Sequence, residues 1–212
     1  MPGDVKRPYD ASRRREAARE SRVRTMRVAR RAFLSSGYAS TTLAQIADEA
    51  GVSVQAVNKN FGSKAGLLRA LFDVALVGDD DPAPLESRTW IRAIHEEPDP
   101  RRKLALYGRV LADMLPRTAP IQLLLREAAR SDPAIADVWD QITTGRLAGM
   151  RNMATNLAEG GHLRAGVSVE DARDVLWVYS SPDLYQLLVM QRGWEPERYA
   201  AFLAASTSAA LL

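Results

Sequence analysis

An all-α fold, with a small three-helix head ahead of a larger helical body, is predicted by three observations. Apolar residues recur at spacings of three and four along most of the chain, and no stretch keeps the two-residue period of a strand for long. Glycine and proline punctuate that pattern at helix-length intervals. Charge divides along the same line. Residues 1–72 hold 14 Lys/Arg against 6 Asp/Glu, a net +8, and residues 73–212 hold 15 against 20, a net −5. A basic front and an acidic remainder point to a polyanion that meets only the first part. The plainer alternative is a solvated basic surface with no partner.

The totals bound the classes. At 212 residues, 46% of them hydrophobic and 26% charged, the chain can bury a sizeable core. With no cysteine there are no disulfides and no thiolate metal sites, which fits a reducing compartment. No apolar run approaches a membrane span, and the N-terminus lacks the apolar segment of a secretory signal. The cytosol is the expected location.

Residues 1–12, MPGDVKRPYDAS, are expected to be a disordered arm. The head is expected over 13–77. From Arg13 a helix carries arginines at 13, 14, 15, 19, 22, 24, 27, 30 and 31, with Met26, Ala29, Ala32 and Phe33 as its apolar stripe. Gly37 stops it. Thr42 can cap the next helix with Gln45 three residues on, and Ile46, Ala47 and Ala50 share one face. Gly51 falls where that helix must end. Ser53 caps a short helix, Val54–Asn60, whose Val57, with Phe61 just beyond, can pack back on Ile46 and Val52. Gly62-Ser63 breaks it, and a further helix starts at Lys64. Two helices meeting at a short glycine turn form a helix-turn-helix, whose second member can enter a DNA major groove.

Several unrelated residue types agree on one family. Gly37-Tyr38, Thr41-Thr42, IAxxAGVS over Ile46–Ser53, Phe61-Gly62-Ser63-Lys64 and Leu67-Leu68 resemble the DNA-binding domain of the tetracycline-repressor (TetR) family. The resemblance runs from about Arg22 to Leu71. It implies that Val54–Asn60 is the recognition helix, and that Arg22, Tyr38, Thr41, Thr42 and Lys64 are phosphate candidates. Lys64 sits at a helix start, where backbone N–H groups also attract anions. Gln55 is the best base reader, since glutamine can bond adenine through two hydrogen bonds. Asn58 and Lys59 reach phosphate or a base edge, and Ser53 can cap and face phosphate together. Ala56, Asn58 and Asn60 depart from the Thr, the Tyr and the aromatic or His common in the family, so they bear on which bases are read. Arg13–Arg19 extend beyond the resemblance, either toward a neighbouring minor groove or as a solvated helix end.

Gly78-Asp79-Asp80-Asp81-Pro82 reads as the boundary, with the body over 83–212. Its expected helices are Pro84–Ile94, Pro100–Leu115 behind the Asp99 cap, Pro120–Arg130, Pro133–Glu159, Val169 onward behind Ser168 and Asp171 with an interruption at Pro182, and Pro196–Ala210. The family resemblance implies that this body holds a ligand cavity and pairs two copies through its last two long helices, here Val169–Gln191 and Pro196–Ala210. Trp177, Leu184, Tyr185, Leu188, Tyr199, Phe202 and Leu203 are the interface candidates, with protomer core as the competing reading of each. Pairing also follows from physics: one short recognition helix reads few bases, so half-sites must be paired.

Trp90, Tyr107, Leu111, Met114, Trp139, Met150 and Trp177 are bulky or adaptable enough to line a pocket, though core is the commoner fate of such residues. Arg146 is sharper. It lies on or beside the apolar stripe of Ile135, Val138, Trp139, Ile142, Met150, Met153 and Leu157. A charge facing inward needs a partner, either an internal acid or an anionic group of a ligand; alternatively the stripe drifts and Arg146 sits at its edge.

No catalytic constellation is present. His95 and His162 share no motif, and G-x-S-x-G, the P-loop and G-x-G-x-x-G are all absent. No cofactor or metal is expected. The expectation is a DNA-binding transcriptional regulator, a repressor released from a roughly palindromic operator by a small molecule. Activation on the same fold, a protein-interaction module, and a helical enzyme or carrier with an accessory head are the alternatives.

Overall fold

Helices of the head begin and end where a side chain or a glycine can satisfy loose backbone groups. The computed structural model describes residues 9–78 and 88–212, with side chains from Arg13 onward. The first helix, α1 (Tyr9–Ser36), starts four residues before Arg13, so the expected arm is helical from Tyr9; its remainder lies outside the described residues. Met26, Val28, Ala29 and Phe33 are its buried face.

Helix α2 (Leu43–Ala50) carries the expected capping box. The Thr42 hydroxyl accepts from the Gln45 amide, and the Gln45 carboxamide accepts from the Thr42 amide. Gly51 then takes φ 65°, and the chain closes with Gly51 N–H on Asp48 O and Val52 N–H on Ala47 O. That paired closure needs a left-handed residue, a role glycine fills without steric cost. The Arg24 guanidinium adds a 2.7 Å bond to Ala50 O, at the electronegative end of the helix. Two residues later Ser53 caps α3 (Val54–Phe61) by accepting from the Ala56 amide. Val57 and Phe61 bury one side of α3. Helix α4 (Lys64–Val77) follows, with the Ser63 hydroxyl accepting from the Gly66 amide.

Contacts divide the chain into Met1–Leu71 and Phe72–Leu212, so the division falls inside α4 and not at the acidic turn, of which 79–82 lie outside the described residues. The second unit contains α5 (Thr89–Glu96), α6 (Pro100–Ala128), α7 (Pro133–Glu159), α8 (Val169–Tyr179), α9 (Pro182–Tyr185), a π-helical segment (Gln186–Gln191) and α10 (Pro196–Leu211). The part of the expected Pro84 helix before Arg88 lies outside the described residues. Among the described residues there is no strand.

Two differences from expectation stand out. Pro116 and Pro120 lie inside one continuous α6. An interior proline costs about 3 kcal/mol through a lost amide donor and a ring clash. Here the flanking turns bury Leu115, Thr118, Ala119, Ile121, Gln122 and Leu125, and tertiary burial outweighs the local penalty. The segment Val169–Gln191 is broken instead of continuous: α8 stops at Tyr179, Ser181 caps α9, and the helix then widens into the π segment.

The core of the body gathers Leu104, Tyr107, Leu111 and Leu115 of α6, Met153, Ala154 and Leu157 of α7, Leu176 of α8, and Tyr199, Leu203 and Leu211 of α10. Helices α6 and α10 approach closely at Gly108, where an added Cβ would lie 2.7 Å from Ala200 O. Lys103 is buried in this unit, its ammonium donating to His95 O at 2.9 Å and to the Asn156 side-chain oxygen. Burial pulls its pKa down, and the Glu97 carboxylate works in the opposite sense.

Candidate functional site

In the head, α3 turns Val57 and Phe61 inward and leaves Gln55, Asn58, Lys59 and Asn60 exposed, with Ala56 half-buried. At 100° per residue, Gln55 and Lys59 point most directly away from the buried side. Lys59 lies in the last turn, where a cation also offsets the helix dipole. Arg22 reaches this helix from α1: its guanidinium stacks 4.6 Å from the Phe61 ring centroid and bonds Asn60 O at 3.3 Å. Helix α3 is therefore held at its C-terminal end by a charged side chain.

Some candidates are spent elsewhere. Thr41 is only 3% exposed, and its hydroxyl donates to Gly37 O at 2.8 Å and to Ala32 O at 3.3 Å. It ties the α1–α2 connection together, and this corrects its assignment to phosphate. Tyr38 is likewise buried, its ring 5.7 Å from Phe33 and 4.1 Å from the Lys64 ammonium. Its phenyl body packs the head, and Lys64 is half-buried over it. Thr42 is exposed, but its hydroxyl serves the capping box, donating to Gln45 at 3.0 Å. Ser53 is exposed while it caps α3. Sequence reasoning passed over Val54, which is 39% exposed on the first turn of α3. An apolar group there is the chemistry that meets a thymine methyl; its spacing of three and seven from Val57 and Phe61 places it with the buried face, so period alone gave no signal of its exposure.

The pocket candidates separate into two places. Trp90 and Met114 line a cleft of about 510 Å³ with Leu76, Leu106 and Val110. Its polar rim is Arg109, Asp113 and Arg117; the Arg117 guanidinium bonds the Asp113 carboxylate at 2.9 Å and Ala75 O at 3.1 Å. Tyr107, Arg146, Met150 and Trp177 gather elsewhere. Arg146 donates to Trp177 O and the Ser180 hydroxyl, both at 2.8 Å, and lies 3.3 Å from the Trp177 ring centroid. Burial lowers its pKa to about 10, with Tyr107 and Asp183 acting oppositely, so it remains a cation at neutral pH. The Tyr107 hydroxyl donates to Met150 Sδ at 2.9 Å. Burial pushes that phenol upward, while Ser180 and the Arg146 charge pull it down. Leu111 is core, and Trp139 joins neither group.

Three of the interface candidates need a similar correction. Tyr185, Tyr199 and Leu203 are buried within the protomer, Tyr185 and Tyr199 edge-to-face at 5.6 Å. Phe202 packs on Tyr179 and Trp194, and Leu184 and Leu188 are half-buried against the core. Trp177 is covered by Arg146 on one face. Among the described residues, the large apolar side chains left exposed in the body are Val178, Leu187 and Met190, and α10 presents a shallow small-residue groove of Ala201, Ala204, Ala205, Ser208 and Ala209. The break after Tyr179 turns these helices to a register that an unbroken Val169–Gln191 would not have.

Residues 26–71 match the family model described as bacterial regulatory proteins, tetR family. Over that stretch the chain is similar to the DNA-binding domain of the TetR family. TtgR of Pseudomonas putida, an HTH-type transcriptional regulator, is 46% identical over 61 residues, and so is ArpR of the same species, a probable one. Each match covers 29% of this chain and 29% of the relative, so it spans under a third of those curated proteins. Over the whole length the likeness is in fold. FadR of Bacillus subtilis, solved with stearoyl-CoA, superposes with a TM-score of 0.71 at 19% identity, over 90% of this chain and 99% of that one. A TetR-family regulator from Rhodococcus sp. gives 0.69 at 13% identity, over 91% and 99%. Among the described residues, no helix is long and apolar enough to cross a membrane.

Proposed function

We propose that this protein is a sequence-specific, dimeric DNA-binding transcriptional regulator of the TetR type, a repressor whose hold on DNA responds to a small molecule in the body. The observation that carries the DNA reading is the outward face of α3, where Gln55 and Lys59 stand opposite the buried Val57 and Phe61 on a head of TetR sequence. Gln55 reads a base edge, Val54 meets a thymine methyl, and Lys59 and Arg22 neutralise phosphates. Asn58 and Asn60 supply short polar contacts at the groove rim, and Thr42, Ser53 and the α4 start with Lys64 face the backbone.

Pairing follows from the size of the reader, an eight-residue helix. Two copies supply two half-sites, and the exposed Val178, Leu187 and Met190 with the α10 groove provide the apolar surface for that pairing. Ligand response is a two-state matter. A molecule shifts the dimer away from its DNA-binding state only by as much as it prefers the other state.

Titration of the dimer against a selected duplex at several salt concentrations tests the reading. Gln55→Ala is expected to cost about 1–3 kcal/mol and to relax preference at one position of each half-site. Lys59→Ala weakens all sequences alike and reduces the salt slope by about one. Equal loss on every sequence from Gln55→Ala would remove it as a base reader.

A further inference from the structure

Two inward cations of the body, Lys103 and Arg146, are treated differently. Lys103 spends its ammonium on His95 O and Asn156 and feels the Glu97 carboxylate. Arg146 spends only Nη1, on Trp177 O and Ser180. Its Nε and Nη2 donors bond no protein group among the described residues, and that edge is the fork that grips a carboxylate through two parallel bonds. Among the described residues no carboxylate forms an ion pair with it. Asp183 is the acid within electrostatic reach, and Asp183 is already paired with Arg126 at 2.5 Å. Two guanidiniums thus share one carboxylate, and one positive charge is left over.

The surroundings also hold unspent hydrogen-bonding capacity. The buried Tyr107 hydroxyl donates to a thioether, a weak acceptor, and has the Ser180 hydroxyl as its other polar neighbour. Tyr199 is fully buried, and its hydroxyl has no partner among the described residues. The two phenols are close enough for Tyr107 to push the Tyr199 pKa upward. A buried hydroxyl left bare is destabilising, and a half-buried charge without a counter-ion is more so. Groups of this kind concentrated at one place, brought together from α6, α7, α8 and α10, mark a site completed by something from outside.

We propose that the body binds a singly charged organic anion, a carboxylic acid with an apolar body, whose carboxylate sits on the free edge of Arg146 beside the Tyr107 and Ser180 hydroxyls. Trp177 fixes the guanidinium plane by stacking, and Met150 supplies an adaptable apolar wall. The count of one unbalanced charge favours a carboxylate over a doubly charged phosphate ester. The proposal rests on the ligand-responsive reading above and names its ligand class.

The test uses the full-length protein and matched probes: octanoate, 2-naphthoate and longer fatty acids, their neutral amides, and octyl phosphate. Binding is read by thermal shift and by tryptophan fluorescence, which Trp177 reports directly. Carboxylates are expected to raise the melting temperature, the amides to have no effect at equal concentration, and octyl phosphate to bind more weakly. Arg146→Met abolishes the effect, and Arg146→Lys weakens it by at least about tenfold, because an ammonium cannot make the paired fork. Without any probe, Arg146→Met is expected to hold or raise the melting temperature, since it removes a charge without a counter-ion. Carboxylates that bind no better than their amides, or bind Arg146→Met unchanged, overturn the proposal. A lower melting temperature with unchanged carboxylate binding would make Arg146 a structural tie and overturn it too. Tighter binding of octyl phosphate, lost in Arg146→Met, would overturn the carboxylate assignment in favour of a phosphate. Neutral compounds that bind wild type and Arg146→Met alike and release DNA would leave the ligand-responsive reading standing while removing the anion. Silence from every probe would count against both.

Discussion

Thr41 and Thr42 are neighbours with separable work. The Thr41 hydroxyl is buried and donates to Gly37 O of the α1–α2 connection and to Ala32 O of α1, so Thr41→Val removes hydrogen bonds while keeping the shape. It is expected to cost about 1 kcal/mol of head stability, read from chemical denaturation, with DNA affinity unchanged below the transition. Thr42→Ala removes the α2 cap and costs about 1 kcal/mol as well. If Thr41→Val instead weakened DNA binding with no change in stability, Thr41 would return to the phosphate contacts. The cap at Thr42 was legible because its partner, Gln45, is three residues away. The burial of Thr41 was not, because it depends on α1 folding back over the connection, and no local pattern records that. Arg146 shows the same limit. Its period placed it at the apolar stripe, but its partners, Trp177 O and Ser180, lie more than thirty residues away.

Elements followed their caps and departed from their breakers. Ser53, Asp99, Asp132 and Ser168 each start a helix where a short polar side chain precedes the periodic run. The backbone N–H of Arg102 holds the Asp99 carboxyl below its usual 3.8, and the Ser168 hydroxyl and N–H do the same for Asp171. Each carboxylate therefore contributes stability that is present above the unfolded value and lost as pH falls through the lower folded value. Thermal denaturation from about pH 7 to about pH 3 should show wild type losing its advantage over the Asp99→Asn/Asp171→Asn variant in that acid window. Proline misled at α6 because burial of the surrounding turns decides the matter. Pro116 is exposed, so Pro116→Ala restores an amide donor without losing packing, and its melting temperature is expected to rise. A fall would mean that the fold uses the bend. Gly108→Ala is the converse case: its Cβ meets Ala200 O at 2.7 Å, and about 1–3 kcal/mol should be lost as α6 and α10 are forced apart.

For the whole molecule, the division into a basic, TetR-like head and an acidic body was readable from charge and motif, because both are properties of composition and local order. The apolar surface of the body was not. Tyr185, Tyr199 and Leu203 are large and periodic, as interface residues are, yet they close the protomer's own core, and among the described residues the exposed large apolar side chains of the body are Val178, Leu187 and Met190. The double variant Leu187→Glu/Met190→Glu is expected to yield monomer in sedimentation velocity and to abolish binding to paired half-sites, while leaving the helical circular-dichroism signal intact. The central claim is that α3 reads sequence twice over, once from each copy. Selection of bound duplexes from a random library tests it most directly. The account predicts an enriched, roughly two-fold symmetric site whose half-sites lie about one helical turn apart and whose enrichment is lost with Gln55→Ala. Weak binding with no enriched site, vanishing as salt rises, would contradict it: the head would then be basic without being a reader.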